Sequence, residues 1–84
     1  MNELEIFKKK LIYRSNYRGT KEMDTLLSKF VKKYIDDFDK IQLSELDKFL
    51  DFEDNVILDY YNHGIVKKNI DKNKISKLFK NYSV

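Results

Sequence analysis

The chain reads KKLIYRSNYRGTKEMDTLLSKFVKKY from Lys9 to Tyr34, and this stretch carries the clearest helical pattern of the sequence. Its second half carries apolar residues at the spacing i, i+3, i+4, i+7, i+8 and i+11, the pattern of an amphipathic helix. Its first half follows a helical stripe as well, and a polar segment around Gly19 joins the two halves. Because glycine is typical of helix ends, the stretch predicts two helices that meet at a corner.

Apolar residues continue at helical spacing along the whole chain. Five stripes can be read: Leu4, Phe7, Leu11 and Ile12; Met23, Leu26, Leu27, Phe30, Val31 and Tyr34; Leu43, Leu46, Phe49 and Leu50; Val56, Ile57, Tyr60 and Tyr61; Ile75, Leu78, Phe79 and Tyr82. Nothing predicts a strand, since no run alternates with period two. Asp54 or Asn55 is the expected N-cap of the fourth helix, and Asp71 or Asn73 that of the fifth. The sequence predicts an all-α fold, a single five-helix bundle over residues 1–84, whose second helix packs against the first and fourth.

Cysteine is absent and histidine occurs once, at His63, which excludes a disulfide scaffold and the usual zinc ligand set. Asp36, Asp37 and Asp39 lack the spacing and the glycine of a calcium loop, so no metal site is predicted. His63 precedes Gly64 at an expected helix end, where a capping role explains it without catalysis. Because no catalytic triad can be assembled, we expect that the chain is not an enzyme.

No apolar run reaches the roughly 18–20 residues that a membrane span needs, so no stable membrane insertion is expected. The first residues, MNELE, are acidic and lack the pattern of a signal peptide or an organelle presequence. These features predict a monomeric protein of the bacterial cytoplasm.

Charge is segregated along the chain. Residues 8–21 hold six basic and no acidic residues, residues 36–54 hold eight acidic and two basic, and residues 67–80 hold six basic and one acidic. This layout indicates docking on a partner with a defined polarity, or else a set of solvated helix faces.

The corner itself carries the candidate binding residues. Arg18 precedes a helix N-terminus, where the helix dipole disfavours a cation, and an exposed pair with Glu22 would contribute only about 0–1 kcal/mol. A guanidinium offers a planar fork for a carboxylate or a cluster of carbonyls on a partner, and Gly19 lets another backbone approach closely. Arg14 and Tyr13, one turn earlier, extend the same surface. The corner is therefore predicted to bind a partner, although Gly19 and Glu22 could also serve only as helix-end residues.

The pattern KLIYRSxxRGxxEMDxLLxxF over residues 10–30 resembles the succinate dehydrogenase flavinylation factors, small helical assembly proteins of bacteria and mitochondria. The likeness runs from about residue 8 to residue 64, which forms a family-like core, and includes LSEL at 43–46 and ILDY at 57–60. Residues 65–84 have no clear counterpart. Tyr17 stands where many members have a second arginine, and the proline common near Asn55 is absent.

This resemblance implies that the chain binds the flavoprotein subunit of succinate dehydrogenase or fumarate reductase. It implies that the chain promotes covalent attachment of FAD to a histidine of that subunit. The partner would carry the FAD, and this chain would bind no cofactor stably. The implied partner-binding residues are Arg18, Gly19, Glu22, Arg14, Tyr13 and Asp24. Arg18 would anchor to the partner, Glu22 would orient Arg18 or bind a donor of the partner, and Gly19 would give clearance.

A second hypothesis is a small basic helical nucleic-acid-binding protein. Lys8, Lys9 and Lys10, together with the arginines and Lys21 of the corner, could meet phosphates. Acidic side chains at the start of the second helix and the acidic middle of the chain argue against it, because they would repel the phosphates. We therefore expect no nucleic-acid partner.

Overall fold

The structure, a computed structural model, describes residues 2–83. Met1 and Val84, the ends of the predicted domain, lie outside the described residues. The described residues form five α-helices and two short 3-10 turns, without a strand, so the predicted all-α bundle is confirmed. The helices are α1 (Glu3–Asn16), α2 (Lys21–Tyr34), α3 (Lys40–Phe49), α4 (Asp54–His63) and α5 (Lys74–Lys80). The 3-10 turns, Ile35–Asp37 and Ile70–Lys72, follow α2 and precede α5.

Polar side chains and one glycine set the helix ends. Thr20 accepts a hydrogen bond from the backbone N–H of Met23 at 3.2 Å and so starts α2. Asp39 and Gln42 form a reciprocal capping box at the start of α3, in which each side chain accepts from the other residue's N–H. α4 ends at Gly64, whose φ of +67° lies in the left-handed region that favours glycine.

The predicted caps of the last two helices have different outcomes. Asn73 caps α5, as predicted, and its Oδ1 accepts from the N–H groups of Ile75 and Ser76 at 2.8 and 3.0 Å. The N-cap of α4 is Glu53, and Asp54 is the first helical residue, so the predicted cap at Asp54 or Asn55 is wrong. The carboxylate of Asp54 is engaged by another part of the chain, which explains why it does not cap its own helix.

The C-terminal segment completes the core. α1 packs most extensively on α2, and α5 packs on both α3 and α4. Phe79 of α5 is fully buried, and its ring lies 5.0 Å from that of Phe30, 5.4 Å from that of Phe49 and 4.9 Å from that of Tyr61, measured between centroids. One aromatic side chain therefore joins α2, α3 and α4. The expected packing of the second helix on the first is observed. The expected packing on the fourth is not a main contact of the bundle, because α4 packs mainly on α5.

The five apolar stripes face this single core. Their most buried members include Leu11, Met23, Leu43 and Ile57, each with no exposed surface. The longest of the helices has 14 residues, and across residues 2–83 none combines the length and apolar character needed to cross a membrane.

Candidate partner-binding site

Arg18 lies in the segment between α1 and α2, but its side chain turns inward. Its Nε donates to Asp54 Oδ1 at 2.7 Å, its Nη1 to the carbonyl of Leu50 at 2.7 Å and its Nη2 to the carbonyl of Phe52 at 2.6 Å. Only 12% of the side chain is exposed. The carboxylate and carbonyls expected on a partner are thus supplied by this chain, at the junction of α3 and α4.

Asp54 holds the corner through both carboxylate oxygens. Oδ1 accepts from Arg18, and Oδ2 accepts from the backbone N–H of Gly19 at 3.0 Å. As the first residue of α4, Asp54 also lies at the positive end of the helix dipole, which stabilises its charge. A Cβ on Gly19 would lie only 3.3 Å from Oδ2, so this approach favours glycine. Gly19 caps neither helix, because Tyr17 is the C-cap of α1 and Thr20 is the N-cap of α2.

Asp24 turns back towards the corner from the first turn of α2. Its half-buried carboxylate accepts a hydrogen bond from the backbone N–H of Arg18. The corner backbone is therefore bound by two carboxylates, with Asp24 accepting from Arg18 and Asp54 from Gly19. The expected pair between Arg18 and Glu22 does not form within residues 2–83, since the ionic partner of Arg18 is Asp54.

Arg14 fastens α1 to α3. Its guanidinium pairs with the carboxylates of Asp47 and Asp51, whose side chains are 47% and 72% exposed. Pairs as exposed as these contribute about 0–1 kcal/mol each. Arg14 therefore lies beside the corner with its charge largely matched within the fold.

The basic and acidic segments of the sequence face each other in the folded chain. Ion pairs that join residues 8–21 to residues 36–54 are Lys8–Asp36, Arg14–Asp47, Arg14–Asp51 and Arg18–Asp54. Much of the charge segregation that indicated docking on a partner is thus satisfied internally. Three of these pairs join the end of α1 and the corner to α3 and to the α3–α4 junction.

Two tyrosines form an exposed aromatic pair beside the corner. Tyr13 is 63% exposed and Tyr17 is 71% exposed, and their rings are tilted with centroids 4.5 Å apart. They lie one helical turn apart at the end of α1. Since tyrosine is enriched in protein interfaces, this pair is the aromatic part of the candidate surface.

Glu22 is exposed in the first turn of α2, and no ion pair to it is formed by the described part of the chain. It borders a groove with a volume of about 540 Å³ between α2 and α4. The groove is lined by Lys21, Glu22, Thr25, Leu26 and Tyr61. The hydroxyl of Tyr61 donates to the carbonyl of Tyr82 at 2.8 Å, which holds the ring in place as one wall. An acidic group beside an apolar wall can bind a basic or N–H donor that is flanked by an apolar side chain.

The structure separates the predicted residues into two groups. Glu22 and Tyr13 face solvent, whereas Arg14, Arg18 and Asp24 form bonds within the fold and Gly19 closes on Asp54. Asp54 was not predicted as part of the corner, because the sequence pattern indicated that it caps the fourth helix. The available signal was the match between the basic segment before Gly19 and the acidic segment that ends at Asp54.

His63 is the last residue of α4 and is exposed, at the helix end where it was predicted. Over residues 2–83 the fold brings together no group of three His, Asp or Glu side chains that could hold a metal ion.

The chain matches the family model described as Sdh5, flavinator of succinate dehydrogenase, over residues 9–83. The matched range includes the segment after residue 64, for which the resemblance found no clear counterpart. It also includes every residue of the corner described above.

Curated proteins similar to this chain carry related names. Succinate dehydrogenase assembly factor 2, mitochondrial, of Scheffersomyces stipitis is 47% identical over 51 residues, which are 61% of this chain and 34% of that protein. The protein of the same name in Debaryomyces hansenii is 41% identical over 51 residues, which are 61% of this chain and 36% of that protein. Assembly factor 2-B, mitochondrial, of Drosophila willistoni is 47% identical over 47 residues, 56% of this chain and 30% of that protein. The chain thus spans about a third of the length of these curated relatives. No solved structure matches it.

These relatives correct one expectation. They are named mitochondrial and come from yeasts and flies, so the prediction of a bacterial cytoplasmic protein is wrong. That prediction relied on the first few residues, which say nothing about targeting in a chain that matches only part of its relatives. The nucleic-acid hypothesis finds no support among them. By the match over residues 9–83, the chain belongs to the family of flavinators of succinate dehydrogenase.

Proposed function

We propose that this chain acts in mitochondria as an assembly factor that binds the flavoprotein subunit of succinate dehydrogenase and promotes covalent attachment of FAD to it. The family match over residues 9–83 carries this proposal. The names of the relatives favour succinate dehydrogenase over fumarate reductase as the partner complex. FAD belongs to the partner in this proposal, and this chain holds no cofactor of its own.

The proposed partner-binding surface is the α1–α2 corner. Glu22 and Tyr13 contact the partner directly, because they are exposed there. Arg14, Gly19 and Asp24 complete the surface, and Arg18 lies beneath it. The outward residues lie on a backbone that donates hydrogen bonds to two carboxylates of this chain, so little order has to be gained on binding.

The proposed mechanism is positioning rather than catalysis by this chain. Covalent attachment needs a histidine of the partner held against the flavin in a reactive geometry, and such positioning can remove about 7–11 kcal/mol of a barrier. A small rigid protein, bound as a monomer across the partner's domains, can supply that restraint. It then leaves when the subunit joins the complex.

The test is co-expression of the flavoprotein subunit with this chain in a host that lacks its own assembly factor. Covalently bound flavin is read as fluorescence of the subunit band on a denaturing gel. The proposal expects a fluorescent band that requires this chain and fades with Glu22→Ala. A band of equal intensity without the chain would overturn it.

Glu5→Ala is the matched control. Glu5 is also an exposed acidic residue in the first turn of a helix, but it lies at the far end of α1 from the corner. Loss of flavin with both variants would point to a general effect of helix-end charge rather than to a partner-binding corner. Light scattering on the purified chain tests the proposed monomer.

A further inference from the structure

We infer that Asp54 is a positioning residue of the partner-binding site, and that Arg18 acts with it inside the fold rather than by touching the partner. This inference rests on the proposed function, since it concerns the same surface. The α3–α4 junction thereby becomes part of the partner-binding site, which the sequence of the α1–α2 corner alone does not indicate.

The first step is the engagement of the Arg18 guanidinium within the fold, where three of its five N–H donors bind oxygens of this chain. Each of its three nitrogens donates to an oxygen of this chain at 2.6–2.7 Å, and the side chain is 12% exposed. A carboxylate of the partner that took the place of one of these acceptors would break a bond that the fold already makes. The displaced carbonyl of Leu50 or Phe52 would then lose a charge-assisted hydrogen bond, which is among the stronger bonds in proteins. Direct contact with the partner is therefore the less favourable use of Arg18.

The second step is the double engagement of Asp54. Its two oxygens bind Arg18 Nε and the N–H of Gly19, while its own backbone begins α4. A single carboxylate thus ties the segment between α1 and α2 to the start of α4. The side chain is 22% exposed, so its charge is partly shielded from water and depends on these two donors.

The third step connects this carboxylate to the groove. Glu22 lies three residues after Gly19, at the start of α2, and Tyr61 lies on α4, the helix that Asp54 begins. The bond from Gly19 to Asp54 therefore fixes both walls of the groove relative to each other. Without it, the first turn of α2 could move away from α4 and carry Glu22 out of register with the apolar wall. Asp54 thereby sets where Glu22 is presented.

A direct role and a positioning role for Arg18 predict different double-mutant cycles. If Arg18 touched the partner, Arg18→Ala would weaken binding further in a chain that already carries Asp54→Ala. If Arg18 and Asp54 act as one unit, the second substitution would add little, because the unit is already broken by the first.

The experiment is a titration of the purified flavoprotein subunit against the full chain and its Arg18→Ala, Asp54→Ala and double variants. We expect each single variant to raise Kd about tenfold and the double variant to raise it by about the same factor, rather than about a hundredfold. Kd values that multiply in the double variant would overturn the positioning role. Glu5→Ala, which lies outside the corner, is expected to leave Kd unchanged.

Amide hydrogen exchange on the isolated chain, followed by NMR, gives a readout that does not need the partner. Exchange of the Gly19 amide is expected to be slow in the unaltered chain because Asp54 accepts its proton, and to stay slow in Glu22→Ala even though that variant loses binding. Rapid exchange in the unaltered chain would overturn the inference. The inference would also be overturned if Arg18→Ala bound the subunit more weakly while its Gly19 amide exchanged as slowly as in the unaltered chain.

These outcomes separate the two proposals. If the unaltered chain fails to bind the subunit, the proposed function fails, and the positioning role fails with it. The unaltered chain could instead bind and promote flavin attachment while the increases in Kd of the two single variants multiply in the double variant. In that case only the positioning role is overturned.

Discussion

Arg18 and Asp54 stand 36 residues apart in the sequence, yet Nε of Arg18 lies 2.7 Å from Oδ1 of Asp54. The two side chains are 12% and 22% exposed, so water screens their attraction only in part. Through this pair the α1–α2 corner and the α3–α4 junction form one unit. The conformation of the corner therefore depends on tertiary contacts and not only on local turn residues.

Arg18→Ala is expected to lower the free energy of unfolding by about 2–3 kcal/mol, somewhat below the 3–5 kcal/mol that breaking a fully buried pair costs. The carboxylate of Asp54 and two carbonyls lose their donor at once. The loss near 1 kcal/mol that an exposed pair with Glu22 would predict is too small for this geometry. Urea denaturation followed by circular dichroism measures the change. Arg14→Ala is the control, and it should cost about 1 kcal/mol or less because its pairs are exposed.

Gly19→Arg is expected to leave the helical fold in place while abolishing partner binding. The φ of Gly19 is not in the left-handed region, so a side chain brings no backbone strain, but its Cβ would meet Asp54 Oδ2 at 3.3 Å. The carboxylate must shift, and a long cation then covers the corner. Circular dichroism and a pull-down with the flavoprotein subunit test this expectation. An unfolded variant would show that Gly19 serves stability alone.

Gly64→Ala is expected to lower stability without affecting partner binding, the reverse of Gly19→Arg. Gly64 has a φ of +67°, where alanine is strained, and the nearest atom to an added Cβ is Lys80 Nζ at 3.7 Å. The variant should lose about 1 kcal/mol of stability and keep partner binding. If it bound as poorly as Gly19→Arg, loss of binding would reflect stability rather than position.

Glu22→Ala is expected to lose partner binding with a stability change of only about 0.3–1 kcal/mol, the interaction of an exposed carboxylate with a helix N-terminus. Calorimetry gives the stability and a titration with the subunit gives the affinity. Glu5→Ala should show a similar stability change without the loss of affinity. If the Glu22→Ala variant and the unaltered chain bound the subunit with equal affinity, Glu22 would not be a partner-binding residue.

Ser76→Ala is expected to stabilise the protein by about 0.5–1.5 kcal/mol. The Oγ of Ser76 is fully buried and has no hydrogen-bond partner within the described residues, so its removal relieves a desolvation cost and places a better helix former in α5. Ser15 is the matched control: it is equally buried in a helix, but its hydroxyl donates to the carbonyl of Ile12 at 2.7 Å. Ser15→Ala should therefore bring no comparable gain in melting temperature.

Phe79→Ala is expected to cost about 3–5 kcal/mol, the range for truncating a buried phenylalanine, because its ring contacts three other helices. A chain of this size has little stability to spare, so much of the population would unfold. Ile41→Ala, at a position 70% exposed, should change stability by about 0.5 kcal/mol or less. If the Phe79 variant remained as stable as the unaltered chain, the C-terminal segment would not belong to the core.

The number and placement of the helices could be predicted from the sequence because each is encoded locally. The stripe from Met23 to Tyr34 and the capping bonds from Ile75 and Ser76 to Asn73 involve residues only a few positions apart. The cap of α4 could not be predicted in this way. Asp54 has the right chemistry for an N-cap, but its carboxylate binds Arg18 and the N–H of Gly19, which are distant in the sequence.

The candidate site shows the same division. The position of the corner, the exposure of Tyr13 and the presence of Arg18, Gly19 and Glu22 together could be read from residues 10–24. The inward direction of the arginine could not, since its acceptors at Leu50 and Phe52 are backbone carbonyls that any sequence supplies. Only the path of the chain between α3 and α4 brings them within reach.

The all-α class, the five helices, and the basic and acidic segments that attract each other follow from the sequence, because periodicity and charge are properties of neighbouring residues. Long-range contacts select which carboxylate pairs with which cation, and they place Phe79 in the core. They also turn Arg18 inward and leave Glu22 exposed at the corner. These outcomes depend on contacts between residues far apart in the chain, where burial and competition among partners select one arrangement from several that the sequence allows.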